Sequence, residues 1–173
     1  MFVRLSAAIA ALSLLGGAAL AQSAKPTDPQ IAHVAYTAGL IDIKAAELAR
    51  KRSKSKEVRA FADDMLRDHK AVNVQALALV KKLKVTPEDN GTSRALNQQA
   101  EAKLKQMRGL KGAAFDKAYA QNEVDFHQQV NTALQTTLIP SASNPELKDL
   151  LSTGLRIFEG HQQHAEHLVQ ALR

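Results

Sequence analysis

Apolar residues recur at helical spacing along most of this chain. Asp28-Pro29 offers an N-cap followed by proline at the first helical position. Ile31, Val34, Ala38, Ile41, Ala45 and Leu48 then mark one face of a helix that the pattern ends near Arg52. Ser53-Lys54-Ser55 is a short turn, and Ser55 is placed to cap a second helix. Its stripe is Val58, Phe61, Ala62, Met65, Val72, Ala76, Leu79 and Leu83, and it stops before Pro87. After the loop Glu88-Asp89-Asn90-Gly91 comes a short polar helix with a thin seam of Leu96, Ala100 and Leu104, broken by Gly109 and Gly112. A long helix follows from Ala113. Pro140, Ser141 and Ser143 make a turn, and Asn144-Pro145 caps a last helix striped by Leu147, Leu151, Leu155, Phe158, Ala165, Leu168 and Leu172.

The pattern therefore predicts helices over 28–52, 55–84, 92–108, 113–139 and 145–172. Short turns make each long pair an antiparallel hairpin. A connection carrying the short helix joins the two hairpins, which is the single-crossover arrangement of a ferritin-like four-helix bundle.

Four polar residues interrupt the inward stripes, one on each long helix. Asp42 lies four residues after Ala38 and three before Ala45, and His69 four after Met65 and three before Val72. His127 lies between Val124 and Val130, and His161 three after Phe158 and four before Ala165. All four share the apolar phase. Their heights also agree. His69 stands roughly 23 Å from the first turn at 1.5 Å per residue, with Asp42 within about one turn of it. By the same count from the second turn, His127 is about one turn from the level of His161. An acid and three imidazoles buried together must pair with one another or hold a metal.

Composition narrows the class. Arg4, the apolar stretch Leu5 to Leu15 and the small residues of Ala19-Leu20-Ala21 predict a signal peptide over 1–21, cleaved after Ala21. Residues 22–173 are then one exported, periplasmic domain. There is no cysteine, which removes lipid anchoring, disulfides and thiolate ligands. No later apolar run reaches the roughly 20 residues of a spanning helix. Without Arg4 there are 22 basic and 17 acidic side chains, a net charge of +5 spread over helix faces. With no Trp, two Tyr and five Phe, the chain lacks stacking platforms for nucleic acid. Peripheral contact with an anionic envelope surface is the one partner class that this charge supports.

Several segments carry a resemblance over nearly all of the mature chain. They are Gly39-Leu40-Ile41-Asp42-Ile43, the run Phe61 to His69, Phe115-Asp116-Lys117-Ala118-Tyr119 with Val124 and His127, and Leu155 to His161 with Ala165. In these the chain resembles a ferritin-like four-helix family of exported bacterial proteins of unknown function, known as predicted outer membrane proteins. The resemblance implies the fold and says little of activity. The family's acid after the glycine is Glu where this chain has Asp42.

A di-iron site of the ferritin kind needs a Glu three residues before a His on two helices. Here those positions are Leu66 and Phe158. Three imidazoles and one carboxylate suit instead a single zinc, copper or iron ion. Asp68, Asp116, Tyr119 and Glu123 are candidates to orient those ligands. His164, Glu166 and His167 crowd the last helix as solvated residues, and His33 is a surface or helix-end residue. With no nucleophile motif and no phosphate loop, an enzyme is the weakest class. The expectation is a periplasmic protein binding one transition metal or a small ligand in its core, within a stress response. The alternative is a metal-free structural or interaction protein of the envelope.

Overall fold

The computed structural model describes residues 25–173, so the expected signal peptide lies outside the described residues. Every regular element among the described residues is helical: α1 (Asp28–Arg52), α2 (Lys56–Lys82), α3 (Gly91–Arg108), α4 (Gly112–Ala133), a π-helical continuation (Leu134–Leu138), the single turn α5 (Ile139–Ser141) and α6 (Pro145–Ala171). The helices start where polar caps stand. The Ser55 hydroxyl accepts the Val58 N–H at 3.2 Å, and the Asn144 side chain accepts the Leu147 N–H at 3.1 Å. Asn90 accepts from both Thr92 and Ser93 at the head of α3.

Two boundaries differ from the sequence expectation. The cap of α1 is Thr27, not Asp28. The Asp28 carboxylate accepts the backbone N–H groups of Ser143 and Asn144 at 2.8 and 2.9 Å, tying the start of α1 to the start of α6. A long-range use of the side chain replaces the local cap. The third long helix, α4, also runs on through Pro140 instead of turning there. A proline ring collides with the carbonyl four residues back and removes a donor. The π segment relaxes that conflict by inserting a wider turn, with the Ile139 N–H bonding to Leu134 O.

α1 packs on α2 and α4, and α6 packs on α2 and α4, so neighbouring long helices run antiparallel. α3 lies along α1 and α4 and carries the chain from one end of the molecule to the other. Asn90 Nδ2 donates to Gln30 O at the start of α1, Lys44 pairs with Glu101 midway, and Arg52 donates to Leu110 O at its end. Two apolar clusters fill the ends. Phe61, Met65, Phe115, Tyr119 and Ala165 form one, and Ile31, Leu134, Leu147, Leu151 and Phe158 form the other. The four polar residues of the inward stripes lie between them.

Close approach of α1 and α2 at this level depends on Gly39. A Cβ there would overlap the buried Asn73 amide. Gly39→Ala should lower unfolding free energy by about 1–3 kcal/mol, because the Asn73 side chain has to move within a packed layer. Chemical denaturation measures this. An unchanged midpoint would show that the contact is slack.

Candidate metal centre

Asp42, His69, His127 and His161 are all buried, the carboxylate completely so. Helical phase places them: each replaces an apolar residue on a stripe that would otherwise continue the core. Oδ2 of Asp42 lies 3.2 Å from His69 Nε2 and 3.3 Å from His127 Nε2. The three imidazole rings have centroids 5.3–5.7 Å apart. Nitrogens of His69, His127 and His161 lie within 4.8 Å of one another, and so do ligand atoms of Asp42, Glu123 and His127. Ligands about 2.1 Å from one tetrahedral ion stand roughly 3.4 Å apart, so only small side-chain shifts separate this arrangement from a coordination sphere.

Two of the rings have defined tautomers. His127 Nδ1 is 2.9 Å from the Glu123 carbonyl, which can only accept, so Nδ1 carries the proton. Its Nε2 lone pair then faces the cluster. His161 Nε2 is 3.0 Å from Oδ2 of Asp68, whose carboxylate likewise accepts, so its lone pair is on the buried Nδ1. Arg67 holds the same Asp68 through two bonds of 2.7 and 3.0 Å. Burial opposes the charge of Asp68, but the hydrogen bonds from Arg67 and His161 outweigh it and keep the carboxyl below its ordinary range. This carboxylate–imidazole pair, with the second nitrogen free, is the arrangement that orients a metal-ligating histidine. His69 stacks flat on Phe158, 4.7 Å between centroids. The position that would hold a bridging carboxylate in a di-iron site is thus an apolar wall.

The hydrogen-bonding capacity of this layer is incomplete. Both oxygens of Asp42, both nitrogens of His69, His127 Nε2, His161 Nδ1, Glu123 Oε2 and the Tyr119 hydroxyl are buried with no hydrogen-bond partner among the described residues. Each such atom costs roughly 1–3 kcal/mol. The charges conflict as well. Burial works against the Asp42 carboxylate, and the attraction of His69 and His127 overrides this and holds it at about 2. Yet burial pushes His127 down to about 4, so its ring is neutral at pH 7. His161 is lowered too, chiefly by burial. A buried carboxylate beside the inward-facing lone pairs of His127 and His161 is a donor set that a metal cation fits.

Of the candidate orienting residues, Asp68 and Glu123 touch the cluster. Burial, and then the nearby charge of Asp42, push the Glu123 carboxyl well above its ordinary range. Tyr119 is fully buried, and its hydroxyl is pushed up by burial and by the charges of Glu123 and Asp42. Asp116 precedes His127 by three turns, about 16 Å along α4, which is too far to orient that ring. His164 is half-exposed against Phe61, and His167 faces solvent. His33 is only partly exposed, with Nδ1 3.9 Å from Asp89. Met65 lies in an apolar cluster, and the partly buried Leu66 packs against it.

The chain belongs to the family described as Domain of unknown function (DUF4142), whose pattern matches residues 15–168. A solved structure titled "CopM in the Cu(II)-bound form" shares the fold with a TM-score of 0.65 at 13% identity, over 86% of this chain and 99% of that one. No curated protein matches the chain.

The lowered His127 predicts how the metal-free protein responds to acid. In the unfolded chain this imidazole takes up its proton near pH 6.5, and in the folded chain only near 4. Between those values the unfolded state binds more protons, so stability falls as pH drops through the window, by up to about 3 kcal/mol. Denaturant titrations in chelator at pH 7, 5.5 and 4 measure it. A flat profile over that range would show that the ring is already protonated in the fold.

Proposed function

We propose that this protein binds one divalent transition-metal ion at mid-height between its four long helices, through His69, His127, His161 and Asp42. The observation that carries this reading is the set of inward-facing donor atoms on four different helices: nitrogens of His69, His127 and His161 lie within 4.8 Å of one another, and Asp42 lies against His69 and His127. A metal-free polar layer would be expected to satisfy itself, and this one does not. Three imidazoles and a carboxylate suit Cu(II), Zn(II) or iron, and the Irving–Williams order ranks Cu(II) highest among them. The Cu(II)-bound state of the structurally similar CopM favours copper as the ion to test first.

In this reading the helices form a ferritin-like four-helix bundle with α3 on the crossover, and the site is mononuclear. Bound metal would neutralise Asp42, and Asp68 and the Glu123 carbonyl would hold two of the rings in the ligating tautomer. Cleavage after Ala21 would deliver residues 22–173 to the periplasm, where a buried, cysteine-free site would take up an ion as part of an envelope stress response. The basic surface leaves room for peripheral contact with anionic envelope components.

Equilibrium titration of purified protein with Cu(II) and with Zn(II) should give one ion per chain. At a thousandfold excess over the dissociation constant, linkage adds about 4 kcal/mol. That moves the melting temperature of a domain of this size up by roughly 8–16 °C. His127→Ala should abolish the shift. Asp68→Asn should keep the stoichiometry but weaken affinity about 10–100-fold, because the charged carboxylate that orients His161 becomes a neutral amide that can equally turn its N–H toward the ring. Identical melting curves with metal and with chelator at neutral pH would contradict the reading.

A further inference from the structure

The polar layer is closed. Asp42, His69, His127 and His161 are all buried, so an ion has to cross protein to reach them. A buried metal site needs an entry path. A divalent ion crossing apolar side chains without ligands would meet a prohibitive cost. The path must therefore be lined with groups that replace its water.

The seam between α2 and α6 carries such groups. His161 is the least buried member of the layer, and its outer nitrogen bonds to Asp68 on α2. The His161 side chain is 8% exposed and that of Asp68 is 26% exposed. About one turn farther along the same seam, His164 Nδ1 lies 4.0 Å from Oδ2 of Asp64, and these side chains are 50% and 36% exposed. The His164 ring stands edge-on to the buried Phe61, with centroids 5.0 Å apart, which holds it beside α2. Two carboxylate–imidazole pairs thus lead from solvent to the layer.

This seam already holds a cation. Arg67 Nη1 donates to Asp64 at 2.6 Å, and Nε and Nη2 donate to the two oxygens of Asp68 at 2.7 and 3.0 Å. Both carboxylates therefore converge on one positive group. The Arg67 side chain is 65% exposed, so it can swing into water with little loss of stability. Other approaches are less suited to a cation. The apolar cavity behind Phe158 has no charged side chain in its lining. α3 covers α1 and α4, and the small cavity beneath it sets Lys103 among its lining residues along with Asp125.

We propose that metal ions reach the buried layer along the α2–α6 seam: Asp64 and His164 capture them from solvent, Asp68 takes them inward, and the His161 ring tips aside to admit them. The route presupposes the metal reading above. A residue that acts only on the route lowers the barrier between solvent and site without changing either end. Losing it slows uptake and release alike and leaves the affinity as it was.

Stopped-flow mixing of the purified protein with Cu(II) measures uptake by quenching of tyrosine fluorescence, since the chain has two Tyr and no Trp. Mixing the loaded protein with excess chelator measures release. Asp64→Asn/His164→Gln should slow both rates about tenfold, with one ion still bound per chain at unchanged affinity. Asp63→Asn removes the same charge from a pair with Arg50 of α1 and should leave both rates as they are in wild type. Three outcomes would overturn the route while leaving the metal site standing. They are wild-type rates in the double variant, equal slowing in Asp63→Asn, or slower uptake with unchanged release, which would make the pair part of the site. Absence of Cu(II) uptake by wild-type protein would overturn the metal reading and the route together.

Discussion

Burial of the Asp42 carboxylate is the constraint on which the rest of this structure turns. A fully buried carboxylate is tolerated only with a compensating charge or a full set of hydrogen bonds. Asp42 lacks the hydrogen bonds: neither oxygen has a hydrogen-bond partner among the described residues, and the nearest groups are imidazole nitrogens 3.2 and 3.3 Å away. Two of the three imidazoles in this layer have their protons committed elsewhere. His127 gives its proton to the Glu123 carbonyl and His161 gives its own to Asp68, so each turns a lone pair inward. Donor atoms are thus collected where donors of protons are missing. One cation would satisfy the carboxylate and the lone pairs together.

The scaffold supports that arrangement on rigid elements. Asp42, His69, His127 and His161 each sit within a long helix, between an apolar cluster at either end. Phe158 fixes the His69 ring by stacking, and Arg67 steadies Asp68. Gly39 lets Asn73 lie flat against α1 one turn beyond His69. From that position Asn73 stands at the edge of a cavity at the end of the molecule where α1 and α6 begin, while His69 faces the polar layer.

The sequence made most of this layer legible because helical period is a strong signal. Inward phase follows from spacing alone, and the polar interruptions at Asp42, His69, His127 and His161 stood out against Ala38, Met65, Val124 and Phe158. Caps at Ser55 and Asn144 were readable from local chemistry. What was not readable depends on contacts distant in sequence. Asp28 looked like a cap and instead binds the turn before α6, 115 residues away. Pro140 looked like a stop, but the π segment carries the helix through it. Asn73 left a trace, a polar residue on the stripe between Val72 and Ala76, but the cavity at whose edge it stands comes from five helices and has no local signature.

The most direct test of the central claim is the position of the ion. Crystals of the purified protein loaded with one equivalent of Cu(II), measured at the copper absorption edge, would locate it by anomalous scattering. The account predicts one peak in the buried layer, roughly 2.0–2.2 Å from nitrogens of His69, His127 and His161, with Asp42 beside it. A peak confined to exposed residues such as His164 or His167, with the buried layer empty, would contradict it.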